Sequence, residues 1–371
     1  MKVAYIARDA EGLAGWGRYT AELVRALRPL GVEPVLVTAG PVDRTVADEV
    51  HEGLLPPLFY PRGSTPRSLL RVGAVRRAIA GCDLVHCMAE PYMPLAALVA
   101  GKRPLVLTAH GTWAVRLPSR QDLGWLFRWA FRRADLTIGV SAYTLARVEE
   151  RVRLKHKIVQ PGGVDVEGFR EATTWQPPAW AEGAQVALGV GAVKRRKGFH
   201  VALEAVAVAC QSLPKLHYVV LGKLSESGYV RHLRQRIGEL GLENRVHLLG
   251  RVDFEALAGW YRRADVLFQI PVNIGDSFEG FGLVYLEAGV SGTPNVATLD
   301  CGSAEAVLDG ETGFLVPQND PQAAADALVR LLSDEALHAR LGQGARRWAE
   351  KQTWAQVAQT VMHEYERLLA R

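Results

Sequence analysis

Between Asp276 and Gly292 the chain reads DSFEGFGLVYLEAGVSG, which sets two carboxylates, Glu279 and Glu287, around a Gly280-Phe281-Gly282 turn. The apolar run Val266-Leu267-Phe268-Gln269-Ile270 ahead of it predicts a buried strand, and Pro271 to Ser277 a loop. Leu283, Tyr285, Leu286, Glu287 and Ala288 follow as a helix. A helix start offers unpaired backbone N–H groups and a positive dipole end, which suit a phosphate. At about 1.5 Å rise per residue, Glu287 stands roughly 7–8 Å beyond Gly282. A ligand that suits all three features carries hydroxylated groups at its ends and phosphates between them, as a nucleotide-sugar does.

Three other stretches could join that chemistry. Val186 to Gly191 predicts a strand, and Lys194-Arg195-Arg196-Lys197 follows it just before Gly198 and a helix. Four cations there are placed to neutralise a diphosphate, or form a solvated basic loop. His110-Gly111-Thr112 comes just past the strand Leu105–Thr108, at the edge where open α/β sheets bind ligands. The alternative is a histidine that caps the next helix. His86 lies inside its own strand and reads as packed. Gly12, Gly15 and Gly17 follow the first strand, Val3–Ala7, and let the backbone approach a ligand or simply make a tight turn. Tyr19-Thr20 occupies the place of the third glycine, so the pattern is not the dinucleotide G-x-G-x-x-G.

The elements that must carry these residues alternate. Short apolar strands at 35–38, 84–87, 138–141, 158–161, 217–222 and 246–250 are separated by helical segments. That pattern predicts α/β architecture with doubly wound parallel sheets. A length of 371 residues calls for two domains. We place the first at 1–169, a Pro/Ala/Trp-rich linker at 170–184, the second at 185–353, and a last helix at 354–371 returning to the first domain.

Apolar residues make up 49% and charged residues 22%, which supports packed cores and excludes a disordered chain. No apolar run is long enough to span a bilayer, and MKVAYIARD reads as a first strand, so a cytoplasmic protein is expected. The four cysteines show no metal-ligand spacing, and no metal site is expected. Residues 1–169 hold 23 Lys/Arg against 16 Asp/Glu, a balance of +7, while the remainder holds 21 against 23, a balance of −2. A basic first half suits an anionic membrane surface, an acidic acceptor or nucleic acid. Residues 113–133 set Trp113, Trp125, Phe127, Trp129 and Phe131 beside Arg116, Arg120, Arg128, Arg132 and Arg133. That is either an interfacial membrane face or an ordinary amphipathic helix with its aromatics in the core.

Glu279 and Glu287, with EGFGL and the following SGTPNVAT, resemble the signature of retaining GT-B glycosyltransferases of family 4. Gly162-Gly163-Val164-Asp165…Phe169, Gly302-Ser303-Ala304-Glu305 and Asp309–Val316 resemble further motifs of that family, so the resemblance covers nearly the whole chain. It implies two Rossmann-like domains that face a cleft, an acceptor on the first and a nucleoside-diphosphate sugar mostly on the second. Lys197 and a second cation would hold the leaving diphosphate with the Gly280–Leu283 backbone amides. The family often has an arginine where Ala192 stands, so the second cation comes from Lys194, Arg195 or Arg196, and we favour Arg196. Glu279 and His110 would grip donor-sugar hydroxyls and Glu287 the ribose diol. Gly15 and Gly17 resemble the glycine-rich loop that approaches donor diphosphate and acceptor.

The resemblance further implies a metal-independent enzyme with no cofactor, acting on a lipid, glycan or small-molecule acceptor. The IPVNIGDSFEGFGLVYLEA stretch resembles bacterial mannosyltransferases, which puts GDP-mannose first and UDP-glucose or UDP-N-acetylglucosamine next. Peripheral contact with an anionic membrane, at the inner face of the plasma membrane, goes with the basic first domain. Other classes stay open: a non-catalytic nucleotide-sugar-binding protein, a basic nucleic-acid-associated protein or a nucleotide-sugar epimerase. No recognisable nucleic-acid-binding module is present, and no nucleic-acid partner is expected.

Overall fold

The computed structural model describes residues 1–11, 15–58 and 64–371, so Gly12 lies outside the described residues. The chain divides into two compact units, Met1–Gly163 with Trp354–Arg371, and Val164–Thr353.

The first unit is built on seven parallel strands: β1 (Lys2–Ala7), β2 (Glu33–Thr38), β3 (Glu49–His51), β4 (Leu84–Cys87), β5 (Leu105–Ala109), β6 (Leu136–Gly139) and β7 (Lys157–Val159). Their order is β3-β2-β1-β4-β5-β6-β7. The central runs KVAYIA, LVHC and LVLTA are buried almost throughout, as strands covered on both faces must be. The second unit carries six: β8 (Gln185–Val190), β9 (Leu216–Leu221), β10 (Val246–Gly250), β11 (Val266–Phe268), β12 (Asn295–Thr298) and β13 (Gly313–Val316), in the order β10-β9-β8-β11-β12-β13. In each sheet the order reverses once, between β1 and β4 and between β8 and β11. The loops that leave those strands at their carboxyl ends diverge and open a crevice there. The expected doubly wound parallel architecture is what forms.

Three local expectations change. The expected strand at 266–270 ends at Phe268, because Gln269 turns its side chain into the loop interactions described below. β3 was not expected: EVH is short and polar, and only its pairing with Val35–Val37 makes it a strand. The boundary falls at Gly163/Val164, not after Phe169, and 170–184 is not a free linker. Val164 to Thr174 and the turn beyond them pack on the second unit. Trp175 lies 4.9 Å from Trp260, and Trp180 stacks on His247 at 3.8 Å. Thr174 donates to Glu255 at 2.8 Å. Aromatic burial outweighs the loop-like composition.

Residues 322–370 form three helices, Pro321–Ser333, Glu335–Glu350 and Trp354–Leu369. Asp320 and Asp334 accept from Ala323 N and Leu337 N at the first two starts, caps worth about 1 kcal/mol each. His86 is core: its ring meets Tyr365 Oη at 2.5 Å and Thr108 Oγ1 at 2.7 Å. Of the 113–133 stretch, Phe127 and Phe131 are buried and Trp125 is 59% exposed. Arg120, Arg128 and Arg133 are engaged with Asp122, the Pro118 carbonyl and Asp135, while Arg116 and Arg132 stand exposed. Among the described residues no helix is long and apolar enough to cross a membrane, and no group of three or more His, Cys, Asp or Glu could hold a metal ion.

Candidate active site

The second unit brings three of the expected residues together at its switch point. Lys197 and Arg196 follow β8, and Glu279 follows β11. Glu279 is 8% exposed and is met by Lys197 Nζ at 2.5 Å and Arg196 Nη1 at 3.0 Å, both on Oε2. Burial opposes the carboxylate's charge, but the two cations outweigh it and hold the group at about 2. Of the three cations that could have joined Lys197, Arg196 is the one whose side chain reaches Glu279. Lys194 is exposed, and partial desolvation together with the neighbouring Arg196 lowers its pKa.

The loop that delivers these cations is clamped. Gly198 has φ +75° and a Cβ there would lie 1.8 Å from the Ile270 carbonyl oxygen, so only glycine fits. Val272 N donates to Arg196 O at 2.9 Å, and Gly302 N donates to Glu279 O at 2.9 Å. Beyond Glu279, Phe281 is 5% exposed and Gly282 (φ +94°) ends the turn, so the Leu283–Val290 helix starts beside the carboxylate. Glu287 is not the solvent-facing residue its helical position allows. It is 3% exposed and accepts from Tyr261 Oη at 2.7 Å.

In the first unit, His110 leaves β5 and the Gly15–Leu27 helix follows β1. His110 Nε2 lies 3.0 Å from the Met88 carbonyl, which can only accept. The ring proton therefore sits on Nε2. Burial pushes the imidazole down to about 4, so the ring is neutral at pH 7 and its Nδ1 lone pair is an acceptor. Its backbone N–H donates to Glu90 Oε1 at 2.8 Å, and the Tyr19 ring meets it edge-on at 4.8 Å. Burial raises the Glu90 carboxyl to about 7. Gly15 is left-handed at φ +56° in open space, whereas Gly17 makes room for Asp9: a Cβ would lie 1.6 Å from its Oδ1.

Sequence reasoning missed Glu90, Tyr19, Tyr261 and Gln269. Gln269 carried a signal, as an amide inside an otherwise apolar strand run. The others are ordinary residues far along the chain from the groups they touch.

Glu279 fixes an acid dependence. Its folded-state pKa of about 2 lies below its ordinary 4.5, so its stabilisation is complete above 4.5 and is lost as pH falls toward 2. Urea unfolding should show Glu279→Gln destabilised at pH 7 by up to roughly 3 kcal/mol, because Lys197 loses a buried partner. The difference from wild type should shrink steadily below pH 4.5. A pH-independent difference would contradict this pairing.

The model for Glycosyltransferase Family 4 matches residues 13–167, and that for Glycosyl transferases group 1 matches residues 172–348. A D-inositol 3-phosphate glycosyltransferase of Corynebacterium urealyticum is 35% identical over 63% of this chain and 57% of its own length. One from Streptomyces avermitilis is 36% identical over 60% of this chain and 48% of its own length, so the chain spans about half of these first relatives. A phosphatidyl-myo-inositol mannosyltransferase of Mycobacterium leprae is 32% identical over 76% of this chain and 73% of its length. Among solved structures, Anabaena Alr3699/HepE with UDP-glucose has a TM-score of 0.80 at 19% identity, covering 99% of both chains. Sucrose-phosphate synthase of Thermosynechococcus elongatus has a TM-score of 0.78 at 23% identity, covering 100% of this chain and 99% of the other. At such identities these likenesses show the fold, while the matched models and the mycobacterial relative show the family. The chain belongs to glycosyltransferase family 4 and carries the two Rossmann-like domains of the GT-B fold.

Proposed function

We propose that the chain is a retaining, metal-independent hexosyltransferase that uses a nucleoside-diphosphate sugar. The single observation that carries this reading is the Arg196–Glu279–Lys197 cluster beside a helix start at the second sheet's switch point. When the bond between the anomeric carbon and the diphosphate breaks, negative charge grows on the diphosphate and positive charge on the sugar. Lys197, Arg196 and the Gly280–Leu283 amides meet the first, already oriented before reaction. Glu279 exchanges part of its hold on the cations for donor-sugar hydroxyls, and its carboxylate stabilises the sugar's positive charge. Glu287 takes the ribose diol. The acceptor hydroxyl enters on the face the diphosphate leaves, and its proton goes to a departing phosphate oxygen, which retains the anomeric configuration. In the first unit, the His110 Nδ1 lone pair accepts from a substrate hydroxyl, and the Gly15–Gly17 turn gives the substrate close backbone approach.

The relatives' names direct the choice of substrates. One is a mannosyltransferase and two act on inositol 3-phosphate, while HepE was solved with UDP-glucose. We propose GDP-mannose or UDP-glucose as donor, with UDP-N-acetylglucosamine next, and an inositol-bearing lipid or inositol phosphate as the first acceptor to test. A lipid acceptor would be approached through Trp125, Arg116 and Arg132, which the core leaves exposed.

Product analysis by mass spectrometry and NMR, in the presence of a metal chelator, tests the reading. It predicts sugar transfer with the donor's anomeric configuration kept, and a roughly 100-fold or greater loss of kcat in Glu279→Gln. An inverted product, or activity that the chelator abolishes, would overturn it. Co-sedimentation with anionic vesicles should occur and fall sharply in Trp125→Ala with Arg132→Ala; unchanged sedimentation of that variant would remove the membrane contact.

A further inference from the structure

Gln269 is the first residue past the end of β11, and it is 1% exposed among apolar neighbours. A primary amide in such a place is costly unless its polar atoms are paired. Its side-chain oxygen accepts from Val190 N at 3.1 Å and its side-chain nitrogen donates to Lys197 O at 2.7 Å. The amide orientation is fixed by chemistry, since Val190 offers a proton and Lys197 a carbonyl. The main chain of the same residue is equally engaged: its N–H donates to Val296 O at 3.2 Å, and its carbonyl accepts from Tyr285 Oη at 2.7 Å.

These contacts join the two halves of the charge cluster. Val190 is the last residue of β8 and Lys197 closes the turn that carries the cations. Tyr285 belongs to the helix that starts just after Glu279. Gln269 thus spans the switch point: its amide continues the β8–β11 pairing past the end of β11 and captures the Lys197 backbone at the same time. Gly198 and the Ile270 carbonyl close that clamp from the other side.

We infer that Gln269 is a positioning residue that holds the Lys197 backbone so that its ammonium group meets Glu279 and, during reaction, the leaving diphosphate. The inference deepens the transferase reading and rests on it for the reaction, but the placement of Lys197 is testable without any turnover. Gln269→Met keeps the side-chain length and removes both amide bonds. In the full chain we expect acetic anhydride to modify Lys197 several times faster in this variant than in wild type, read by peptide mass spectrometry. We also expect kcat to fall roughly 10–100-fold with the acceptor KM unchanged. In a Lys197→Ala background the same substitution should cost little further, because both act through one group.

Should Gln269→Met not fold, Gln269→Glu decides in the same assays, since it keeps an acceptor for Val190 N but turns an oxygen toward the Lys197 carbonyl. Wild-type protection of Lys197 in a folded Gln269 variant, or an undiminished loss in the Lys197→Ala background, would overturn the assignment. Absence of transfer by the wild-type chain would sink the transferase reading alone, and the modification rates would still decide the role of Gln269.

Discussion

One buried carboxylate shared by two cations governs the second unit. A carboxylate as buried as Glu279 costs several kcal/mol without partners, and Lys197 alone would be costly in the same way. The three charges therefore have to arrive together, and they come from two loops 82 residues apart in the chain (Lys197 and Glu279). Sheet order is what makes this possible. Because β8 and β11 are neighbours while β9 and β10 lie on the far side, the loops leaving β8 and β11 diverge from one point. The cluster then carries one net positive charge beside a helix start, an arrangement that an incoming diphosphate complements.

The surroundings are arranged to keep that meeting in register. Gly198 admits the Ile270 carbonyl, Gly302 N–H holds the Glu279 carbonyl, and Arg196 O accepts from Val272 N. The Tyr261 hydroxyl donates to Glu287, the second carboxylate of the signature, and orients it. Glu279 is held ionised by charge, and Glu287 is oriented by a neutral donor.

Much of this was legible in the chain. Apolar runs of four to six residues between helical patterns marked the strands, because strands covered on both faces must be apolar throughout. The glycine turn before a helix, with Glu279 ahead of it and Glu287 within it, marked the site. What the chain did not show depends on tertiary partners. By spacing alone Glu287 could equally face solvent, and its burial shows only once Tyr261 is placed against it. Residues 170–184 read as a linker because Pro and Ala dominate, yet Trp175 and Trp180 find aromatic partners on β10 and the Phe254–Arg263 helix. By spacing, the 113–133 aromatics could belong to either a core or a surface, and only packing separates Phe127 from Trp125. Gln269 was visible as an amide in an apolar run, but its task appears only when β8 lies beside it.

The most direct test of the central claim is a calorimetric titration of UDP and of GDP, without metal, into the wild-type chain and Lys197→Ala. One nucleotide should bind the wild type, and its affinity should fall roughly tenfold or more in the variant. Equal affinity for both chains would mean that the Arg196–Glu279–Lys197 cluster does not receive the diphosphate.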